Sequence, residues 1–138
     1  MTRNTCIFLL TSLFMMAGVA ESCKETPYTQ GKILYENFCE NCHMRDGSGL
    51  EGLIPPLAGA DFLKHNPEKI PCIIRKGLNE PIVVNGQTYD QEMSAVPNLS
   101  DFEITNVINY INSAWGNDYG YVKLEDVRRA LEACPLYE

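Results

Sequence analysis

Cys39-Glu40-Asn41-Cys42-His43 is the stretch on which the reading of this chain turns. C-x-x-C-H is the spacing at which two thiols attach covalently to the vinyl groups of a haem. Cysteines three apart on a helical turn face the same side, so both sulfurs meet one porphyrin edge, and the following imidazole falls beneath the iron. A bare C-x-x-C also serves zinc knuckles and thioredoxin-like redox sites. Each of those needs company that this sequence lacks: a second ligand pair at short spacing for zinc, alternating strands and helices for the redox fold. The motif is therefore read as the attachment site of one covalent haem c.

Upstream, Arg3 precedes an apolar run from Ile7 to Ala20. At about 14 residues the run is shorter than the roughly 20 needed to span a bilayer, and it reads as a secretory signal covering residues 1–22. Two cleavage readings compete. Gly18-Val19-Ala20 suits an ordinary signal peptidase, whereas Ala20-Glu21-Ser22-Cys23 resembles a loose lipoprotein box with Cys23 as the lipidated residue, Glu21 being its departure. Residues 23–27 then form a short linker that would hold a lipid-anchored domain within roughly 15 Å of the anchor.

The six cysteines bear on this choice. Cys6 leaves with the signal, and Cys39 and Cys42 go to haem. If Cys23 carries lipid, Cys72 and Cys134 can pair in an oxidising compartment; otherwise an odd thiol is left over. Small buried hydrophobes are the alternative fate of Cys72 and Cys134.

Eleven basic residues against eighteen acidic ones give a net charge of -7, which removal of the signal leaves unchanged. That balance argues against nucleic acid and anionic lipid as electrostatic partners. It suits a docking partner with a basic patch.

Helical patterns dominate the remainder. Gly31, Leu34, Tyr35, Phe38 and Cys42 recur at three- and four-residue spacing through 28–42. Residues 47–59, GSGLEGLIPPLAG, are loop by composition. A short helix is expected at 61–65. Another starts near Asn66-Pro67-Glu68 and stops at Gly77, kinked or starting late because Pro71 lacks a donor. Residues 82–89 read as two short strands around Asn85-Gly86, a strong hairpin signal. Ser100 and Glu103 form a capping box that opens a helix with Ile104, Val107, Ile108, Ile111 and Trp115 on one face. A last helix, about 124–134, stops at Pro135.

In this order the motifs over residues 28–117 resemble a class I cytochrome c domain. The resemblance implies an all-α cytochrome c fold, its N- and C-terminal helices crossed around the haem and a small β-hairpin before the axial Met. Residues 118–138 add a C-terminal helical extension. It implies that Gly31 and Tyr35 meet Val107 and Tyr110, that the Pro55 carbonyl orients His43, and that Leu57 lies against the porphyrin. It also implies a methionine as sixth ligand. Met44 follows His43 too closely to reach the other haem face, so Met93 takes that role, with Ser94 where many relatives have proline. His65 is the rival ligand, otherwise a solvent-facing residue, and Arg75 and Lys76 are propionate partners or solvated surface.

His/Met ligation raises the reduction potential and leaves no open position for a small-molecule substrate. The chain is therefore expected to be no enzyme but an electron carrier between respiratory or dehydrogenase and reductase partners, in the periplasm or as a lipoprotein on the outer face of a membrane. Two alternatives are a gas sensor or haem enzyme whose Met93 dissociates, and a haem subunit of a larger oxidoreductase that docks through the helix after Trp115.

Overall fold

A computed structural model describes residues 28–134. The signal segment, Cys23 with its linker, and Pro135 lie outside the described residues. In chain order the elements are α1 (Thr29–Phe38), α2 (Glu40–His43), α3 (Asp61–His65), α4 (Ile70–Lys76), β1 (Ile82–Val84), β2 (Gln87–Tyr89), α5 (Asp101–Ser113) and α6 (Leu124–Glu132). This is the expected all-α fold with one two-stranded antiparallel sheet.

The frame is the crossing of α1 on α5. Gly31 makes it possible: a Cβ there would overlap the Asn106 carbonyl and come within 2.8 Å of the Tyr110 Cβ. Tyr110 is one of the two expected partners, and the closest approach is to the Asn106 backbone, where the helices touch. Val107 turns inward and is fully buried with Ile104, while Leu34, Tyr35, Ile108 and Ile111 complete the apolar face. Tyr35 and Tyr110 stack at 5.4 Å between ring centroids, and Trp115 closes the cluster at 5.0 Å from Tyr35. Trp115 does not ride on α5, since Ala114 leaves the helix with extended dihedrals and Trp115 has φ 54°.

The capping box opens α5 as read. The Ser100 Oγ accepts from the Glu103 amide at 3.3 Å, and the Ser100 amide donates to Glu103 Oε2 at 2.8 Å. The helix near Pro67 begins late, at Ile70. That start puts Pro71 in its first turn, where a missing amide hydrogen costs no intrahelical bond. Gly77, at φ 80°, ends it. The hairpin pairs Ile82 with Tyr89 and Val84 with Gln87 around Asn85 and Gly86, both at positive φ as a type I′ turn requires. Its turn docks on α3 by a reciprocal pair of bonds between Asn85 and Asp61, at 3.0 and 2.7 Å.

Beyond residue 117 the chain packs into the same core. Buried Asn109 brackets Val122, donating to its carbonyl at 2.9 Å and accepting from its amide at 2.8 Å, and Asn112 donates to the Gly120 carbonyl. Val127 of α6 is fully buried. Cys134 is bonded to Cys72 of α4, with Cα atoms 5.8 Å apart, so the disulfide reading of these two cysteines holds and the buried-hydrophobe reading falls. Arg75 is neither a solvated cation nor a lining residue of the cavity described below. Its guanidinium donates to Asp101 at 2.9 Å, because α4 packs beside the first turn of α5.

Candidate functional site: an apolar cavity behind the C-x-x-C-H turn

The two thiols and the imidazole sit on a helical turn that continues α1 after a break at Cys39. The ladder is nearly unbroken, with the Cys39 amide donating to Tyr35 and the His43 amide to Cys39 at 2.8 and 2.9 Å. Cys42 is exposed, Cys39 half-buried and His43 only 8 % exposed. Burial pushes the Cys39 thiol up to about 11, with Cys42 adding to the effect. Burial also lowers the pKa of His43, and the bond to Pro55 works the other way. The ring is therefore neutral near pH 7, the form in which imidazole binds metal.

Its tautomer is set by the returning loop. His43 Nδ1 donates to the Pro55 carbonyl at 3.1 Å, which leaves the Nε2 lone pair free. The chain can fold back this tightly because residue 49 is glycine: at φ 66° it packs against the Ile54 carbonyl and the Pro55 carbonyl, where a Cβ would lie 2.6 Å from the Pro55 oxygen. The Gly49 amide donates to the His43 carbonyl, and the Gly47 carbonyl accepts from Leu57 and Ala58. Tyr35 Oη donates to Met44 at 2.6 Å and Trp115 Nε1 to Arg45 at 3.0 Å, pinning the first residues after the motif.

Asn117, which sequence reasoning missed, secures the far end of this loop. Buried at 7 % exposure, it accepts from the Gly59 amide at 2.8 Å and donates to the Leu57 and Ile111 carbonyls at 3.0 and 2.8 Å. Its partners lie up to 60 residues away. Only its place just beyond a helix end, a usual site for an amide that satisfies backbone groups, could have drawn notice.

Cys39, Cys42, His43, Pro55, Leu57 and Met93 all line one cavity of about 520 Å3. Ile70, Ile73 and Ile74 of α4, Val84 and Tyr89 of the hairpin, and Val107 and Ile111 of α5 make it chiefly apolar. Exposed Phe38, Leu53, Gln91 and Glu92 stand at its mouth. Met93 is held by two backbone bonds with Leu78, at 2.8 and 2.9 Å. His65 is exposed and stands apart from the cavity, as do Arg75 and Lys76.

The residues present fit a haem. The cavity has cofactor dimensions and an apolar lining, with two thiols at one edge and an imidazole whose free nitrogen is already chosen. Among the described residues no group of three or more His, Cys, Asp or Glu is placed to hold a bare metal ion.

The family model for cytochrome c matches residues 28–115. Among curated proteins the chain is 39 % identical over 83 residues to a cytochrome c-552 of Thermus thermophilus, covering 57 % of this chain and 63 % of that one. It is 29 % identical over 101 residues to the cytochrome c subunit of a quinone alcohol dehydrogenase of Gluconobacter oxydans, covering 72 % of this chain and 21 % of that subunit. It is 31 % identical over 111 residues to the cytochrome subunit of a fructose dehydrogenase of Gluconobacter japonicus, covering 75 % and 22 %. The chain thus spans under two thirds of the length of the c-552 proteins and about a fifth of the dehydrogenase subunits. On the family match, and on the cavity that its motif residues share, the chain belongs to the cytochrome c family, whose domain holds a covalent haem c and passes single electrons.

Proposed function

We propose that this chain is a monohaem electron carrier working outside the cytoplasm, with Cys39 and Cys42 as the thioether attachments and His43 and Met93 as the axial ligands. The observation that carries the reading is the convergence of these four residues, from two separate segments, on one apolar cavity. Bound there, haem c supplies a one-electron iron couple that needs no proton, substrate or further cofactor.

The rest is the work of the chain. Pro55 keeps the His43 ring oriented and more basic than an unpaired imidazole. Leu57 and the isoleucines of α4 exclude water, which favours the less charged ferrous state. The backbone pairing of Met93 with Leu78 keeps its thioether near at hand even though Ser94 lends no proline stiffness, which favours a six-coordinate carrier over an open-iron sensor.

Electrons enter and leave at the cavity mouth, where Phe38, Leu53 and Cys42 are exposed. The partner is a redox protein with a basic patch, suited to a chain of charge -7. Several relatives are named as cytochrome subunits of dehydrogenases, which supports a dehydrogenase or reductase as that partner. Export is supported by the apolar leader and by a disulfide, a bond of oxidising compartments. With Cys72 and Cys134 paired and Cys39 and Cys42 given to haem, Cys23 remains for a lipid anchor.

The test is the absorption spectrum of the matured protein beside Met93→Ala. The native protein shows the weak far-red sulfur-to-iron band when oxidised and ignores carbon monoxide when reduced, and the variant reverses both. A native protein without the band that binds carbon monoxide readily refutes the assignment of Met93.

A further inference from the structure

Met93 hangs from α4. Its two backbone bonds go to Leu78, the residue directly after the Gly77 stop of α4, and the Val96 amide donates to the Ile74 carbonyl within α4 at 2.9 Å. Gly77 itself lies so close to the Met93 carbonyl that no side chain fits between them. Where α4 goes, the Met93 strand follows.

Yet α4 is only seven residues long, too short to hold its place by helical bonding alone. Its position is set by what ties it down, and two of the ties lead to α6, beyond residue 115 where the family match ends. The Cys72–Cys134 disulfide joins α4 to the end of α6 directly. The Asp101 carboxylate, at the start of α5, accepts from Arg75 of α4 at 2.9 Å and pairs with Arg128 of α6 at 3.8 Å. Half-exposed ion pairs contribute little by themselves, so of these two ties to α6 the disulfide is the stronger.

We propose that α6 is a positioning element for the axial methionine: through the Cys72–Cys134 bond it braces α4, and α4 carries the strand that presents Met93. The inference rests on Met93 as the iron's ligand, and it assigns to the C-terminal extension a role in the haem site that it never touches. The brace takes over the stiffening that Ser94, in place of proline, cannot give.

The experiment follows two signals on the full-length holoprotein during warming: the far-red band of the oxidised haem for Met93, and far-UV circular dichroism for the whole fold. The comparison is between the native protein and C72S/C134S. Should that pair of substitutions block maturation, native holoprotein is reduced with dithiothreitol, its two thiols are capped with iodoacetamide and its haem is reoxidised with ferricyanide. The brace predicts that the band is lost at temperatures where the helices persist. Met93 then detaches about tenfold more readily, a modest share of what a disulfide closing so long a loop can contribute, and the ferrous form gains carbon monoxide binding. If band and helices melt together, both earlier than in the native protein by the same interval, the disulfide serves global stability only and the proposal is overturned. A native protein with no far-red band overturns the Met93 assignment itself, and the brace with it.

Discussion

Replacing Asn117 with alanine removes three hydrogen bonds at once, and the structure shows where each loss falls. Gly59 is exposed, so its amide regains water and that bond costs about 1 kcal/mol. The Ile111 carbonyl belongs to a residue 5 % exposed near the end of α5, and the Leu57 carbonyl to one half-buried beside the cavity. Neither is readily rehydrated, so each loss approaches the cost of an unsatisfied buried acceptor, roughly 1 to 3 kcal/mol. Partial relaxation of the loop lowers the total to about 3 kcal/mol, which for a domain of this size is a fall in Tm of about 10 °C or somewhat more. Urea unfolding of the holoprotein, followed by circular dichroism, gives the free energy directly, and an unchanged m value shows that the same surface unfolds. Asn117→Asp separates bonding from shape: it keeps the acceptor for Gly59 but turns lone pairs toward two carbonyls, and it costs at least as much as alanine. If Asn117→Ala loses less than about 1 kcal/mol, or if aspartate is tolerated, the amide is not the clamp described and the loop is held by packing.

Gly31→Ala drives a methyl into the Asn106 backbone and, despite the better helix propensity of alanine, destabilises by about 2 kcal/mol in the same urea assay. Gly49→Ala places a Cβ against the Pro55 carbonyl at a residue with positive φ, displacing the acceptor from His43. The imidazole becomes a weaker donor to iron, and a redox titration finds a more positive reduction potential. The capping box gives a pH signature: the Ser100 amide, and then its hydroxyl, hold the Glu103 carboxyl below its ordinary value of 4.5. A depressed pKa means that the contribution is present above that value and is lost as pH falls through the folded-state pKa. Glu103→Ala therefore narrows the stability gap between neutral and acidic solution in thermal melts.

The parts of this molecule legible in the sequence are those in which a few neighbouring residues settle the geometry. Cys39 to His43 name their chemistry by spacing; Asn85-Gly86 requires a tight turn; Ser100 and Glu103 bond to each other across one turn of helix. Gly77 marks where α4 stops, and Pro71 limits its start to a kink or a late beginning, of which the structure takes the second. What could not be read is what closes over distance. Asn117 reaches Leu57, and Arg75 finds Asp101, through folding that no local pattern encodes. The two cysteines of the disulfide are 62 residues apart, and parity left their pairing open until α6 was seen lying beside α4. The closest approach of Gly31, to the Asn106 backbone, was not legible because a helical pattern assigns a face of α5 but not the point at which two helices touch.

The same disulfide has a topological consequence. It makes residues 72–134 a closed covalent ring, with the hairpin and Met93 on the ring and the C-x-x-C-H turn on an open arm leading into it. A single backbone cut at the exposed turn of Asn85 and Gly86 opens the ring without dividing the molecule. The piece with Cys39 and Cys42 and the piece with Met93 stay joined at sulfur, so a nicked chain migrates whole on a non-reducing gel and in two parts once thiol is added. Damage at that turn alone leaves His43 and Met93 on a single covalent assembly.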